Sequence, residues 1–213
     1  MRGATGLALV AIASVHLMAQ APQKPATPQP QKQATQGPLK FENFTATTTN
    51  MAVGNAETIR INVSNWTAAA EREKLLGILQ QKGEEQLLEA LKAAPSSGYI
   101  WTSESLGYSV RYAHKAMLPN GGERIIVVTD RPLGAWSRTA WKAAASKGAK
   151  DAKEPQLTLI EIRLNRQGRG EGKMSLTGKV VAEADGNTLA LDNYASAPVL
   201  LKGAMRVKEG ETQ

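Results

Sequence analysis

The stretch Leu106–Arg131, LGYSVRYAHKAMLPNGGERIIVVTDR, decides how the rest of the chain is read. Leu106, Tyr108, Val110 and Tyr112 alternate with Gly107, Ser109, Arg111 and Ala113, so a strand here turns an apolar, aromatic face one way and a polar face the other. Pro119-Asn120-Gly121-Gly122 then supplies residues that tolerate positive φ in a tight connection. Ile125-Ile126-Val127-Val128 follows as an unbroken β-branched run, which suits a central strand covered on both faces. This hairpin is core, and it carries no catalytic signature.

Similar alternation recurs on either side. Phe41 to Met51 and Thr58 to Ser64 form a hairpin with one wet face, Ile59, Ile61 and Val63 lying opposite Arg60 and Asn62. Leu157 to Leu164 places Leu157, Leu159, Glu161 and Arg163 on one face and Ile160, Ile162 and Leu164 on the other. Asn165 to Gly172 reads as a Gly-rich connection, which lacks the Lys-Ser/Thr ending of a phosphate loop. Lys173 to Glu183, Thr188 to Asp192 and Val199 to Lys208 supply further strands. In the last, Val199, Leu201, Gly203, Met205 and Val207 form the buried face, and Lys202, Arg206 and Lys208 the cationic one.

Between the first hairpin and the central one lies a helical pair, 67–94. Thr67 is placed to cap it, Leu75, Leu76 and Leu79 form the first buried stripe, and Gly83 ends the first helix. Leu87, Leu88 and Leu91 repeat the stripe before Pro95. The fold expected is therefore mainly β (α+β): an antiparallel β-barrel or two-layer β-sandwich of about eight or nine strands, with the helical pair inserted after strand 2 and covering one end.

The termini set the organisation. Arg2, an uncharged run to Gln20 and an Ala19-Gln20-Ala21 ending describe a signal peptide over 1–21, cleaved after Ala19 or Ala21. Residues 22–38 are a Pro/Gln-rich linker with almost nothing to bury, and 39–208 form a single β-rich domain. The expected location is outside the cytoplasm, periplasmic or extracellular, with no transmembrane helix once the leader is removed. There is no cysteine, which excludes disulfides, thiolate metal sites and cysteine nucleophiles together. His16 and His114 are the only imidazoles, so a multi-histidine metal site is excluded in the mature chain and no cofactor is expected.

Between Arg131 and Glu154 the strand pattern gives way to a basic insertion. Arg131, Arg138, Lys142, Lys147, Lys150 and Lys153 face only Asp151 and Glu154 there, which concentrates most of the chain's net +7 in one loop. With Trp136 and Trp141 nearby, Arg138, Lys142 and Lys147 are candidate binding residues for an anionic envelope surface or acidic polymer. Export argues against nucleic acid. The alternative is a solvated excursion, because two tryptophans five residues apart lie about 140° apart on a helix and share no face.

Catalysis has one opening in the sequence. If the sheet closes, Tyr108, Tyr112, Asp130, Glu161 and Arg163 can meet near one mouth, and Asp130 and Glu161 become a carboxylate pair for acid–base hydrolysis. Register-setting surface ion pairs are the competing reading. No nucleophile elbow, Walker sequence, dinucleotide glycine motif or metal-binding repeat is present.

Around Trp66 to Ile100, and again at Gly107-Tyr108, Thr129-Asp130-Arg131-Pro132, Leu159-Ile160-Glu161-Ile162-Arg163-Leu164, Gly168-Arg169-Gly170-Glu171-Gly172-Lys173 and Asn193-Tyr194-Ala195, the chain resembles a family of uncharacterised secreted acidobacterial proteins. The resemblance covers most of 40–207. It implies an exported bacterial protein and brings no activity, cofactor or site residue with it. The function expected is thus an exported, non-enzymatic binding or envelope-associated domain, the alternative being a periplasmic hydrolase using Asp130 and Glu161.

Overall fold

The computed structural model describes residues 41–49, 51–53, 56–102, 105, 107–133, 142–143, 156–175, 180–183, 188–191 and 199–208. The elements run β1 (Glu42–Thr49), β2 (Met51–Val53), β3 (Thr58–Val63), α1 (Ala69–Lys82), α2 (Glu84–Ala93), β4 (Gly98–Trp101) and β5 (Tyr108–Met117). They continue with β6 (Glu123–Thr129), β7 (Lys142–Ala143), β8 (Leu159–Leu164), β9 (Arg169–Ser175), β10 (Val180–Ala182), β11 (Leu189–Leu191) and β12 (Val199–Val207). Eight of these strands close an antiparallel barrel in the order β1-β3-β4-β5-β6-β8-β9-β12 and back to β1. The choice between barrel and sandwich is thereby settled as an up-and-down barrel, the arrangement that leaves no sheet edge. β2 pairs with β7 and β10 with β11 as two small ribbons outside it.

The Ile125–Val128 run behaves as its composition demands. Ile125 and Val127 enter the barrel core with Phe44, Ile61, Ile100, Ile160 and Ile162. Ile126 and Val128 point outward into a second core. That second core holds all six helix leucines, together with Tyr112, Leu159, Val180 and Leu189. The helices, which follow the second barrel strand as expected, therefore cover the outer flank of β5, β6 and β8 rather than an end of the barrel. An end would have offered them only turns and loops; the flank offers a continuous apolar stripe.

Thr67 does not cap α1. The N-cap is Ala68, with no side-chain cap, while Thr67 Oγ1 accepts from the Ala113 amide at 2.9 Å and Thr67 N–H donates to the Ala113 carbonyl at 2.8 Å. A buried strand amide needs a partner more than a helix terminus open to water does. Gly83, at φ 81°, ends α1 and leads straight into α2.

Two β-bulges change which residues face inward. On β5, Val110 pairs with Thr129 but Tyr112 pairs with Val128, so Arg111 is an extra residue. Tyr108 and Val110 stay inside while Tyr112 turns out under the helices and Ala113 takes the inner place. On β12 the extra residue falls at Gly203, whose φ of 60° suits glycine. Past it Ala204 is buried and Met205 is 38% exposed, the reverse of simple alternation from Val199. The segment expected to be a glycine-rich loop is also partly strand: β9 begins at Arg169, and Gly170 is there because a Cβ would lie 1.8 Å from the Arg163 carbonyl oxygen on β8.

Candidate functional site

The rim where β1 begins, called the lower rim, is closed by charge. Glu42, Lys115, Glu123 and Arg206 lie at the inward-facing ends of β1, β5, β6 and β12, continuing the rows of Phe44, Ala113, Ile125 and Ala204. Arg206 donates to both Glu42 and Glu123. Glu42 also accepts from Lys115 Nζ and from Trp66 Nε1, each at 2.8 Å. The Lys115 ammonium lies 4.8 Å from the Trp66 ring centroid, and the Arg206 guanidinium 4.9 Å from that of Phe44. Both cations are inward only because of the two bulges; without them Lys115 and Arg206 would point to solvent. Sequence alternation alone gives no sign of this layer.

Burial alone would raise the Glu42 carboxyl pKa, but hydrogen bonds from Lys115, Arg206 and Trp66 outweigh it and hold the group below the ordinary carboxylate value. A carboxyl depressed in the folded state stabilises above its unfolded pKa of about 4.3, and that contribution disappears as pH falls through the lower folded value. Acid titration should therefore lower the melting temperature below about pH 4. Glu42→Gln should be less stable than wild type at pH 7 and show a shallower loss in acid, and parallel stability–pH curves would remove Glu42 from this account.

The two carboxylates considered for catalysis do not meet. Asp130 accepts from Arg111 Nε at 2.9 Å and from Arg131 Nε at 3.1 Å, with its side chain only 2% exposed. Glu161 faces outward from β8 and accepts from Arg124 at 2.8 Å and Arg163 at 2.7 Å. Arg124 in turn holds Glu183 at 2.7 Å, and although burial opposes its charge, those two carboxylates raise its pKa. Glu161 pairs in register with Ile126, four residues from Asp130 along the chain, or about 13 Å of strand. Tyr108 is inside the barrel and Tyr112 outside it, with the Tyr112 hydroxyl 2.9 Å from Thr188 Oγ1. Among the described residues these five side chains serve the interior and separate outer ion pairs, so no common mouth gathers them. No group of three or more His, Asp or Glu is placed to hold a metal ion among the described residues.

Among the described residues, no element packs on the outer flank of β4, β3, β1, β12 and β9. One cross-strand row there runs Trp101, Arg60, Thr45, Met205, Arg169, each paired in register with the next. A neighbouring row carries Tyr99, Asn62 and Asn43, with Asn62 donating to Asn43 at 2.8 Å and Tyr99 half exposed. Lys202 lies in the row on the other side of Thr45, opposite Thr47. Arg60, Arg169 and Lys202 are exposed and have no ion-pair partner among the described residues. The sequence marked the β1–β3 part of this flank as wet, but the row itself needs the barrel order and the Gly203 bulge to be seen.

Trp136, Arg138, Trp141 and Lys147 lie outside the described residues. Lys142 is described only as backbone, in β7, which pairs with β2. No helix among the described residues is long and apolar enough to cross a membrane. Comparison with known proteins adds no assignment: no family model, no curated protein and no solved structure matches the chain.

Proposed function

We propose that this protein is an exported, non-enzymatic binding domain whose partner is an anionic envelope surface or an acidic polymer. The observation that carries the reading is the contrast between inside and outside. The barrel interior is filled with apolar side chains and its lower rim is neutralised by ion pairs, whereas exposed cations without acidic partners among the described residues stand on the opposite flank from the helices. The +7 net charge and the basic insertion favour the same class of partner, and the leader-like N-terminus supports export. Asp130 and Glu161 are each engaged by arginines, which supports a structural role for both.

Sedimentation with anionic vesicles tests the reading. Binding should be clear at low salt and fall steeply as salt rises, because exposed charges are screened beyond about 8 Å at physiological ionic strength. Replacing Arg138, Lys142 and Lys147 with Ala should strongly reduce it without lowering the melting temperature. A protein that stays in the supernatant at low salt does not bind lipid through its insertion.

A further inference from the structure

We infer that the flank opposite the helices is a binding face for a linear acidic polysaccharide, with the chain laid across the strands along the Trp101–Arg60–Thr45–Met205–Arg169 row. This deepens the proposed function and rests on it. The row crosses five of the eight barrel strands, four intervals of about 4.8 Å, so it follows about 19 Å of arc around the barrel wall, and a flexible linear chain laid along it would curve with the wall. At one end Trp101, beside the half-exposed Tyr99 of the same strand, supplies aromatic surface suited to a sugar face. In the middle, Thr45 and the Asn62–Asn43 pair offer hydroxyl and amide groups, the Asn62→Asn43 bond leaving the Asn43 NH2 and the Asn62 amide oxygen to sugar hydroxyls. Arg60, Arg169 and Lys202 supply charge for the acid groups of the chain, and guanidinium forks suit carboxylate geometry.

The charge pattern of the flank fits this occupant. On the outward faces of β9 and β12, Glu171 is the lone acid, set against Arg169, Lys173 and Lys202. A single-stranded nucleic acid fits less well, because its grooves use successive aromatic platforms along the strand, and here both aromatics lie on β4 with hydroxyl, amide and thioether groups beyond them.

Titration of the whole chain with polygalacturonate at low salt, with neutral dextran and oligo-dT in parallel, tests the inference. Polygalacturonate should bind and dextran should not. The triple variant Arg60→Ala, Arg169→Ala, Lys202→Ala should bind about tenfold or more weakly while melting like wild type, and Arg60→Lys should retain most of the affinity. The flank triple variant should lose more polygalacturonate affinity than the variant with Arg138, Lys142 and Lys147 replaced by Ala, which separates the two surfaces; an equal or smaller loss would overturn the inference. Absent binding, an unchanged affinity in the flank triple variant, or tighter binding of oligo-dT would overturn the inference. Vesicle binding without polygalacturonate binding defeats the flank alone, whereas binding of neither defeats the proposed function as well.

Discussion

Gly170→Ala should lower stability by about 3 kcal/mol or more, a melting-temperature loss of about 6–12 °C for a domain of this size. The added Cβ would sit 1.8 Å from the Arg163 carbonyl oxygen and 2.9 Å from its carbon, and a strand backbone cannot yield as a flexible side-chain tip can. Relief requires β8 and β9 to part where Leu164 pairs with Gly170, and the ladder hydrogen bonds there would go with it. Gly77, in the middle of α1, is the internal control, since a Cβ there meets nothing within 4 Å. Gly77→Ala should stabilise by about 0.5–1 kcal/mol through helix propensity and a less flexible unfolded chain. Thermal melts of the two variants should thus move in opposite directions, and a neutral Gly170→Ala would mean that β8 and β9 are not this close.

Asp130→Ala should cost about 3–5 kcal/mol, because it strands the Arg111 guanidinium that Asp130 neutralises in a largely buried place. Arg111 is the bulged residue of β5, and its NH1 also donates to the Ala94 carbonyl, the C-cap of α2, at 2.9 Å. One guanidinium thereby ties the barrel strand, the end of β6 and the helix pair together. Loss of Asp130 should loosen α2 first, visible as faster amide exchange across Leu87–Leu91 than in the barrel strands. The double variant Arg111→Met, Asp130→Leu should recover much of the loss, since an apolar pair of similar volume removes both buried charges. A double variant as unstable as the single would show that the helix tether, rather than the stranded charge, sets the cost.

Much of this architecture could be read from the sequence because burial writes itself as periodicity. The 125–128 run, the alternation of β3 and β8 and the twin leucine stripes each reflect how many faces of an element are covered, and each element appears where its pattern placed it. What the pattern could not reveal are the two places where the period breaks. Tyr112 continues the apolar alternation of Tyr108 and Val110, yet a single extra residue at Arg111 sends it to a different core that is equally apolar. At Gly203 the apolar alternation of Val199 and Leu201 runs on through Met205 and Val207, so hydrophobicity does not betray the register change. Gly170 and Gly172 read as loop because glycine is rare in strands, whereas here close strand approach is what demands glycine. The lower-rim layer was hidden for the same reason, its two cations being placed by those bulges. The candidate carboxylates were visible as residue types, but which arginine each one meets depends on register alone.

Seven of the eight barrel pairings join strands that follow one another along the chain within the barrel; the pairing of β1 with β12 joins its first strand to its last. Asn43 and Val207 face each other across 164 residues of chain, so no turn sets their alignment. Side chains must select it. A slip of one residue would turn Arg206 out and Met205 in, leaving Glu42 and Glu123 to face each other without the guanidinium between them, and would carry Gly203 away from the bulge that only glycine fits comfortably. The charged layer at the rim therefore works as a vernier: it gives little affinity to the closure of the barrel, but it makes every neighbouring alignment of the two terminal strands electrostatically worse than the native one.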